Sequence, residues 1–205
     1  MPLIKRTAAP AAQPANDARS SVEELLIDLK SIDPSLRRGA AHKLTDYPQA
    51  AAELCGALVI EPRESVRESI LTALIRIGTK PAAEGLLPLL NSEDPGLRNG
   101  AIEALKTMPD AVAERVDDIF AGSSDVRIFG VEILGALAHP DSPRLLMRII
   151  AEDRELNVCA AAVEALAECG DGAAVAPLTA LLERFPDEPF LEFSVRAALA
   201  RIANG

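Results

Sequence analysis

The chain carries a motif that recurs about every thirty residues, and no other feature constrains its fold as strongly. In the clearest copy, Glu64 and the pair Val66–Arg67 are followed by a mainly small and apolar stretch that ends at Gly78. A fixed period of this size predicts a solenoid, because each unit buries its apolar face only by stacking on its neighbours. In each unit, the residue that follows the first apolar position of the motif serves as the marker position. The six markers are separated by 30, 31, 29, 32 and 33 residues: Arg37, Arg67, Arg98, Arg127, Cys159 and Glu192.

The amino-acid composition favours an all-α fold. Apolar residues make up 49% of the chain but aromatic residues only 3%, so the core must be built from Ala, Leu, Ile and Val, as in closely packed helices. Each unit is predicted to hold two antiparallel helices, A and B, joined by short links. The A helices are expected at about 21–31, 49–60, 81–91, 110–121, 142–152 and 173–185, and the B helices at about 34–46, 63–78, 95–107, 124–138, 155–169 and 189–203.

The first twenty residues differ from the rest of the chain. Residues 1–20 are rich in Ala and Pro and have no periodicity, which predicts a disordered N-terminal tail ahead of a repeat domain at 21–205. The formal net charge of the chain is −10. The tail carries +2, from three cations and one acid, so the rest of the chain carries −12. An acidic body excludes nucleic-acid binding and disfavours anionic membranes.

Cysteine usage and hydropathy indicate the compartment. Cys55, Cys159 and Cys169 have no CxxC spacing and lie in apolar helical stretches, where a free thiol behaves as a small hydrophobe. No run reaches the roughly 18 apolar residues of a membrane span, and no signal-peptide core follows the first residues. We therefore expect a cytoplasmic protein without a metal or cofactor, either a monomer or a weak homodimer.

The motif resembles HEAT repeats. It looks most like the short subtype of about 30 residues found in phycobilisome lyase-type proteins, and the resemblance covers about residues 21–203. It is strongest around Arg67, Arg98 and Arg127. The resemblance implies a right-handed α-α superhelix whose A helices form the convex surface and whose B helices line the concave one. It also implies that the concave surface binds another protein.

Four consecutive units carry an arginine at the marker position, Arg37, Arg67, Arg98 and Arg127. These side chains could line up as donors for an acidic ligand or a phosphate. Alternatively, each guanidinium could bond carboxylates and carbonyls of its own and adjacent turns, forming a structural ladder. The resemblance to HEAT repeats, in which such a ladder is common, implies the structural ladder.

An acidic stripe is predicted on the concave surface. Glu103, Glu132 and Glu164 occupy the same outward position in three consecutive B helices. With the apolar residues Ile75, Ile128 and Phe193 nearby, the stripe suits a basic or amphipathic segment of a partner protein. The alternative is that the glutamates are simply solvated helix formers. Their spacing is too wide to bind one metal ion.

The last unit concentrates aromatic residues, because Phe185, Phe190 and Phe193 are three of only five phenylalanines in the chain. They could anchor a partner. We favour a terminal cap, in which bulky rings seal the open end of the stack.

Signals for catalysis are weak. His42 and His139 lie about three repeats apart, without a nucleophile near either one, and no Gly-rich phosphate loop is present. We therefore predict a noncatalytic scaffold, adaptor or signalling regulator of the bacterial cytoplasm. The subtype resemblance implies the alternative of a bilin lyase or isomerase-type subunit acting with a second HEAT-like chain, although an acidic ridge would repel the propionates of a bilin. An oligomer-forming structural protein is a third hypothesis.

Overall fold

The structure is a computed structural model that describes residues 21–204. This part of the chain contains thirteen α-helices and three short 3₁₀ segments and no β-strand. The helices pair into six hairpins, so the predicted all-α solenoid of about six helical hairpins is confirmed. The predicted N-terminal tail, residues 1–20, lies outside the described residues.

Each hairpin contributes one helical element to an A layer and one helix to a B layer. The hairpins are α1 (Val22–Asp28) with α2 (Pro34–Leu44), α3 (Ala51–Ile60) with α4 (Glu64–Ile77), α5 (Lys80–Leu86) with α6 (Pro95–Leu105), α7 (Pro109–Ala113) and α8 (Val116–Phe120) with α9 (Ser124–Ala136), α10 (Ser142–Glu152) with α11 (Leu156–Cys169), and α12 (Val175–Arg184) with α13 (Pro189–Asn204). The 3₁₀ segments are Pro48–Ala50, Leu87–Asn91 and Gly172–Ala174.

Short polar signals fix where several helices begin and end. Ser21 and Glu24 form a capping box, in which each side chain accepts a hydrogen bond from the other residue's backbone N–H. Asp33 and Asp94 cap α2 and α6 directly before a proline at the first helical position. Gly78 ends α4 with a φ of 56°, a left-handed conformation that glycine adopts without a steric cost.

Two elements of the A layer are less regular than the sequence predicts. The expected helix at 81–91 ends as α5 and continues as a 3₁₀ segment that contains Pro88, because proline has no N–H to continue the α-helical ladder. The expected helix at 110–121 is divided into α7 and α8, and the backbone N–H of Arg115 bonds the carbonyl of Val112 across the break at 3.0 Å.

The core is one continuous apolar cluster between the two layers. The small residues that the repeat places inside the B helices are buried, so neighbouring helices approach closely: Ala40, Ala101, Gly130 and Ala162. In the B layer, α9 packs most extensively against α11, and α6 packs much less extensively against α9. Among neighbouring B helices, α6 and α9 therefore share the smallest interface.

Candidate functional site

The first arginine of the predicted ladder forms a two-pronged ion pair with an acid of the next hairpin. Arg37 Nε lies 2.6 Å from Glu61 Oε2, and its Nη2 donates to Oε1 at 2.8 Å. Its Nη1 donates to the carbonyl of Ser31 at 2.9 Å. Glu61 is only 4% exposed, so this pair joins the first two turns within the protein rather than offering a free cation.

Arg67 and Arg127 repeat this arrangement. Arg67 donates to the carbonyl of Glu61 at 2.6 Å and to the carboxylate of Asp94 at 2.7 Å. Arg127 binds both oxygens of Asp153, at 2.7 and 3.2 Å, and donates to the carbonyl of Gly122 at 2.9 Å. In each case the acid belongs to the turn of the following hairpin. These contacts support the ladder interpretation, which stays a prediction until the arginines are replaced.

The ladder changes character at two places that the sequence pattern does not reveal. Arg98 donates to the carbonyl of Ser92 at 2.8 Å, and its guanidinium lies 5.7 Å from the centre of the Phe129 ring. Its Nε has no hydrogen-bond partner within residues 21–204. Where the marker becomes Cys159, the guanidinium of Arg184 on α12 donates to the carbonyls of Ile150, Ala151 and Asp153. An A helix therefore supplies the cation that the fifth B helix lacks.

We expect the ion pair of Glu61 to make stability fall with acid. The hydrogen bond from Arg37, and to a smaller extent the backbone N–H of Arg63, hold the pKa of Glu61 below its usual value. Since the folded pKa is depressed, this stabilisation is complete above the unfolded pKa of about 4.3 and is lost as the pH falls through the folded pKa. Thermal unfolding between pH 6 and pH 3 should show a smaller decline in Glu61→Gln than in the wild type.

The control for this experiment is Glu68→Gln, which changes an exposed carboxylate on α4. Its melting temperature should decline with acid as in the wild type. An equal decline in Glu61→Gln and the wild type would contradict the assignment.

The predicted acidic stripe is partly neutralised. Lys106 lies at the end of α6, and its Nζ is 2.8 Å from Glu103 and 2.7 Å from Glu132. The hydrogen bonds to Glu103 and then to Glu132 raise the pKa of Lys106 above its usual value. This cation bridges the seam between α6 and α9, so two of the three stripe glutamates are already bound to a positive charge.

A groove, here called the B groove, runs between α9 and α11. On each of the two helices, the residues of the floor are three to five positions apart or adjacent, so they form one stripe along that helix. The floor consists of Ile128, Val131, Gly135 and Ala136 of α9, and Ala161 and Ala165 of α11. The groove encloses about 460 Å³. A Cβ atom built on Gly135 would lie 2.9 Å from the Cβ of Ala165, so the two helices nearly touch along the floor.

Three glutamates stand on the rim of the B groove, Glu132, Glu164 and Glu168. Glu132 is paired with Lys106, and Glu168 is paired with Arg201 of α13 at 2.6 Å. Within residues 21–204, Glu164 has no ion-pair partner. The rim therefore offers one unpaired carboxylate between two ion pairs, above an apolar floor.

The structure brings only some of the predicted site residues together. Ile128 is half-buried and lines the B groove with Glu132 and Glu164. Ile75 on α4 and Phe193 on α13 lie outside it. Phe193 is 71% exposed and Phe190 is 67% exposed. The ring of the third aromatic of that unit, Phe185, is half-buried, with the guanidinium of Arg184 5.4 Å from its centre.

Thiols and metal ligands add no second site in the described part of the chain. Cys55 and Cys159 are buried, and burial raises the pKa of each thiol to about 11. Burial also raises the pKa of the half-buried Cys169. Residues 21–204 contain no cluster of three or more His, Cys, Asp or Glu side chains placed to bind a metal ion. None of the helices in that range is long and apolar enough to cross a membrane.

Comparison with known proteins gives a family match and one curated relative. The family model of HEAT repeats matches residues 22–106 and 110–200. The bilin biosynthesis protein PecE of Mastigocladus laminosus is 38% identical over 91 residues, which cover 42% of this chain and 34% of that protein. The matched part of the chain thus spans about a third of the length of this relative.

Two solved structures are similar over most of the chain. Human deoxyhypusine hydroxylase in complex with glycerol is 17% identical, with 90% of this chain and 85% of that chain covered and a TM-score of 0.48. The complex of CpcE and CpcF of phycocyanin lyase from Nostoc sp. PCC7120 is 18% identical, with 99% of each chain covered and a TM-score of 0.39. At these values neither structure supports an inference about activity.

The curated relative corrects the functional prediction made from the sequence. The hypothesis of a noncatalytic scaffold, adaptor or regulator that holds a partner segment, and the expectation that the chain is not an enzyme, are contradicted by its similarity to a bilin biosynthesis protein. An activity that depends on binding and orienting a substrate does not need a nucleophile and a base within one chain. Lys106 also neutralises part of the acidic stripe that was expected to repel a bilin.

Proposed function

This chain belongs to the HEAT-repeat family, and from that premise we propose that it is an enzyme subunit of the bilin lyase or isomerase type. Its substrate would be an open-chain tetrapyrrole, and it would act in the cytoplasm with a second HEAT-like chain. The observation that carries this proposal is the 38% identity over 91 residues to a bilin biosynthesis protein.

The B groove is our candidate for the bilin site. Its volume of about 460 Å³ falls within the roughly 300–1,000 Å³ of ordinary small-molecule pockets. The floor of small residues, such as Gly135, Ala161 and Ala165, is suited to the flat face of conjugated rings, which gain by burying apolar surface. Ile128 and Val131 are the larger side chains of this floor.

The polar groups of the rim complement those of a bilin. Pyrrole and lactam rings carry N–H donors, and the unpaired carboxylate of Glu164 is an acceptor at the middle of the rim. Propionates need cations, and Lys106 and Arg201 stand beside the rim because they are paired to Glu132 and Glu168. We propose that Glu164 binds ring nitrogens and that the two cations bind the propionates.

Exposed aromatic side chains support a protein partner. Phe190 and Phe193, at the start of α13, are exposed large apolar residues at the C-terminal end of the array. Aromatic residues are enriched among the energetically important positions of interfaces. We propose this end as the contact for the second HEAT-like chain.

A titration with bilin tests the proposed site. Adding biliverdin to the purified full-length protein should shift and sharpen its long-wavelength absorbance band, since the groove holds the flexible molecule in one conformation. Ala136→Trp should abolish the shift, because this exposed floor residue can carry a large ring that fills the groove.

The matched control is Ala180→Trp, at an exposed position on α12 that lies outside the groove. It should leave the absorbance shift unchanged. The proposal is wrong if the wild-type protein leaves the bilin spectrum unaltered, or if Ala136→Trp and Ala180→Trp behave alike.

A further inference from the structure

A second apolar groove, here called the N groove, lies beside the first two hairpins and plays no part in the proposed bilin site. One side comes from Gly56, Ala57 and Ile60, a single stripe of α3, and the other from Leu29 and Ile32, which follow α1. The groove encloses about 510 Å³ and its lining is mostly apolar.

The N groove is open because the first A helix is too short to cover its neighbour. α1 has 7 residues, whereas α3 has 10. On the opposite side of α3, α5 packs so closely that a Cβ built on Gly85 would lie 2.4 Å from Cys55 Sγ. Around the N groove, Ile32 is 98% exposed and Ile60 is 81% exposed. Apolar surface at the end of a solenoid ordinarily requires a cap.

We propose that Leu3 and Ile4, from the chain's own N-terminal segment, fill the N groove and cap the first hairpin. These neighbouring aliphatic residues are followed at once by Lys5 and Arg6. This inference is independent of the proposed function.

Charge favours the chain's own segment over a second copy of the body. Residues 1–20 carry +2 and the remainder −12, so the segment is attracted to a body whose copies repel one another. Glu53 is exposed on the wall of the groove and offers a carboxylate to Lys5 or Arg6. Two cations line the groove: Arg37 is paired with Glu61, and Lys30 lies on the α1 side. Glu53 on the α3 side is therefore the carboxylate left for the basic pair.

The segment is long enough to reach the groove. Residues 5–20 join Ile4 to Ser21, directly before α1, and the groove lies at the far end of this helix, about 10 Å away at 1.5 Å per residue. Sixteen residues can extend over at most roughly 53–58 Å, which exceeds this distance several times. Tethering at this length gives an effective concentration on the order of millimolar, so even a weak contact is populated.

Isoleucine methyl spectra of the full-length protein test the proposal. Leu3→Ser/Ile4→Ser should shift the methyl resonances of Ile32 and Ile60 and leave that of Ile128 in place. The matched control is Ala8→Ser/Ala9→Ser, which changes the same segment outside the proposed contact and should shift neither. Unchanged Ile32 and Ile60 resonances in Leu3→Ser/Ile4→Ser would overturn the proposal. The proposal would also be overturned if dilution of the wild-type protein moved its Ile32 and Ile60 resonances to their positions in Leu3→Ser/Ile4→Ser. That result would mean that a second copy fills the groove.

Limited proteolysis provides the reciprocal test. Ile60→Ser alters an exposed side chain and should leave the fold intact. Trypsin should then cut after Lys5 and Arg6 about tenfold faster than in the wild type, the change expected from losing one buried aliphatic contact. In Ile60→Ser, cleavage after Arg19 should keep its wild-type rate. The control is Ile27→Ser, which changes an exposed residue outside the groove and should leave the rates of cleavage after Lys5 and Arg6 unchanged. Equal cleavage after Lys5 in Ile60→Ser and the wild type would contradict the contact.

Discussion

Arg127→Met is expected to lower the free energy of unfolding by about 3 kcal/mol, since removing one member of a largely buried ion pair leaves the charge of Asp153 uncompensated. Asp153 is only 9% exposed at its side chain, and both of its oxygens accept hydrogen bonds from Arg127. The carbonyl of Gly122 loses a donor as well. For a chain of this size the loss corresponds to a fall in melting temperature of roughly 6–12 °C.

Arg98→Met is the matched control because Arg98 holds the same repeat position but has no carboxylate partner in the described part of the chain. It should cost only about 1 kcal/mol, the net value of an ordinary hydrogen bond. Adding Asp153→Asn to Arg127→Met should recover part of the stability, and the double-mutant cycle measures that coupling. Equal losses for Arg127→Met and Arg98→Met would show that the acids contribute nothing to the ladder.

Gly85→Ala is expected to cost about 2 kcal/mol through overpacking. The added Cβ would lie 2.4 Å from Cys55 Sγ and 2.7 Å from its Cβ. Cys55 is buried in the core, so α3 and α5 would have to separate. Denaturant unfolding monitored by circular dichroism measures the change.

Gly39→Ala provides the opposite expectation from the same chemical change. A Cβ at Gly39, within α2, would meet no atom of a neighbouring element within 4 Å among the described residues. The substitution should therefore stabilise the protein by about 0.5 kcal/mol, because alanine loses less backbone entropy in a helix. If Gly85→Ala also proved stabilising, the close approach of α3 and α5 would be refuted.

The order of the helices could be predicted because their signals are local. Capping residues such as Asp33 and Asp94, a proline at the first helical position and the glycine at position 78 act on their own turn. The regular spacing of apolar residues then determines which side is buried. These features depend on neighbours in sequence, so a single chain is sufficient to recognise them.

The partners of the ladder could not be predicted with the same certainty. Glu61 and Asp153 each stand six residues before a marker position, and that shared offset was the available signal. Nothing in the sequence pattern indicated that Arg184 takes the place of the missing fifth arginine, because Arg184 belongs to a different helix layer. Contacts between helices far apart in sequence depend on how the hairpins stack.

The B groove could be predicted only in part. The repeat places Glu132, Glu164 and Ile128 at a shared register on adjacent helices, and all three line the groove. It placed Ile75 and Phe193 with them, although they lie on helices that do not line the groove. It also missed Lys106 and Arg201, whose charges change the electrostatic character of the rim.

Burial of the cysteines limits the covalent chemistry that the chain can perform by itself. With a pKa of about 11 for Cys55 and Cys159, roughly one thiol in ten thousand is ionised at pH 7, and the thiolate is the nucleophile. None of the three cysteine sulfur atoms, including that of the half-buried Cys169, lines the B groove. Any thioether bond to a molecule held there would therefore have to form on a sulfur atom that another protein brings to the groove.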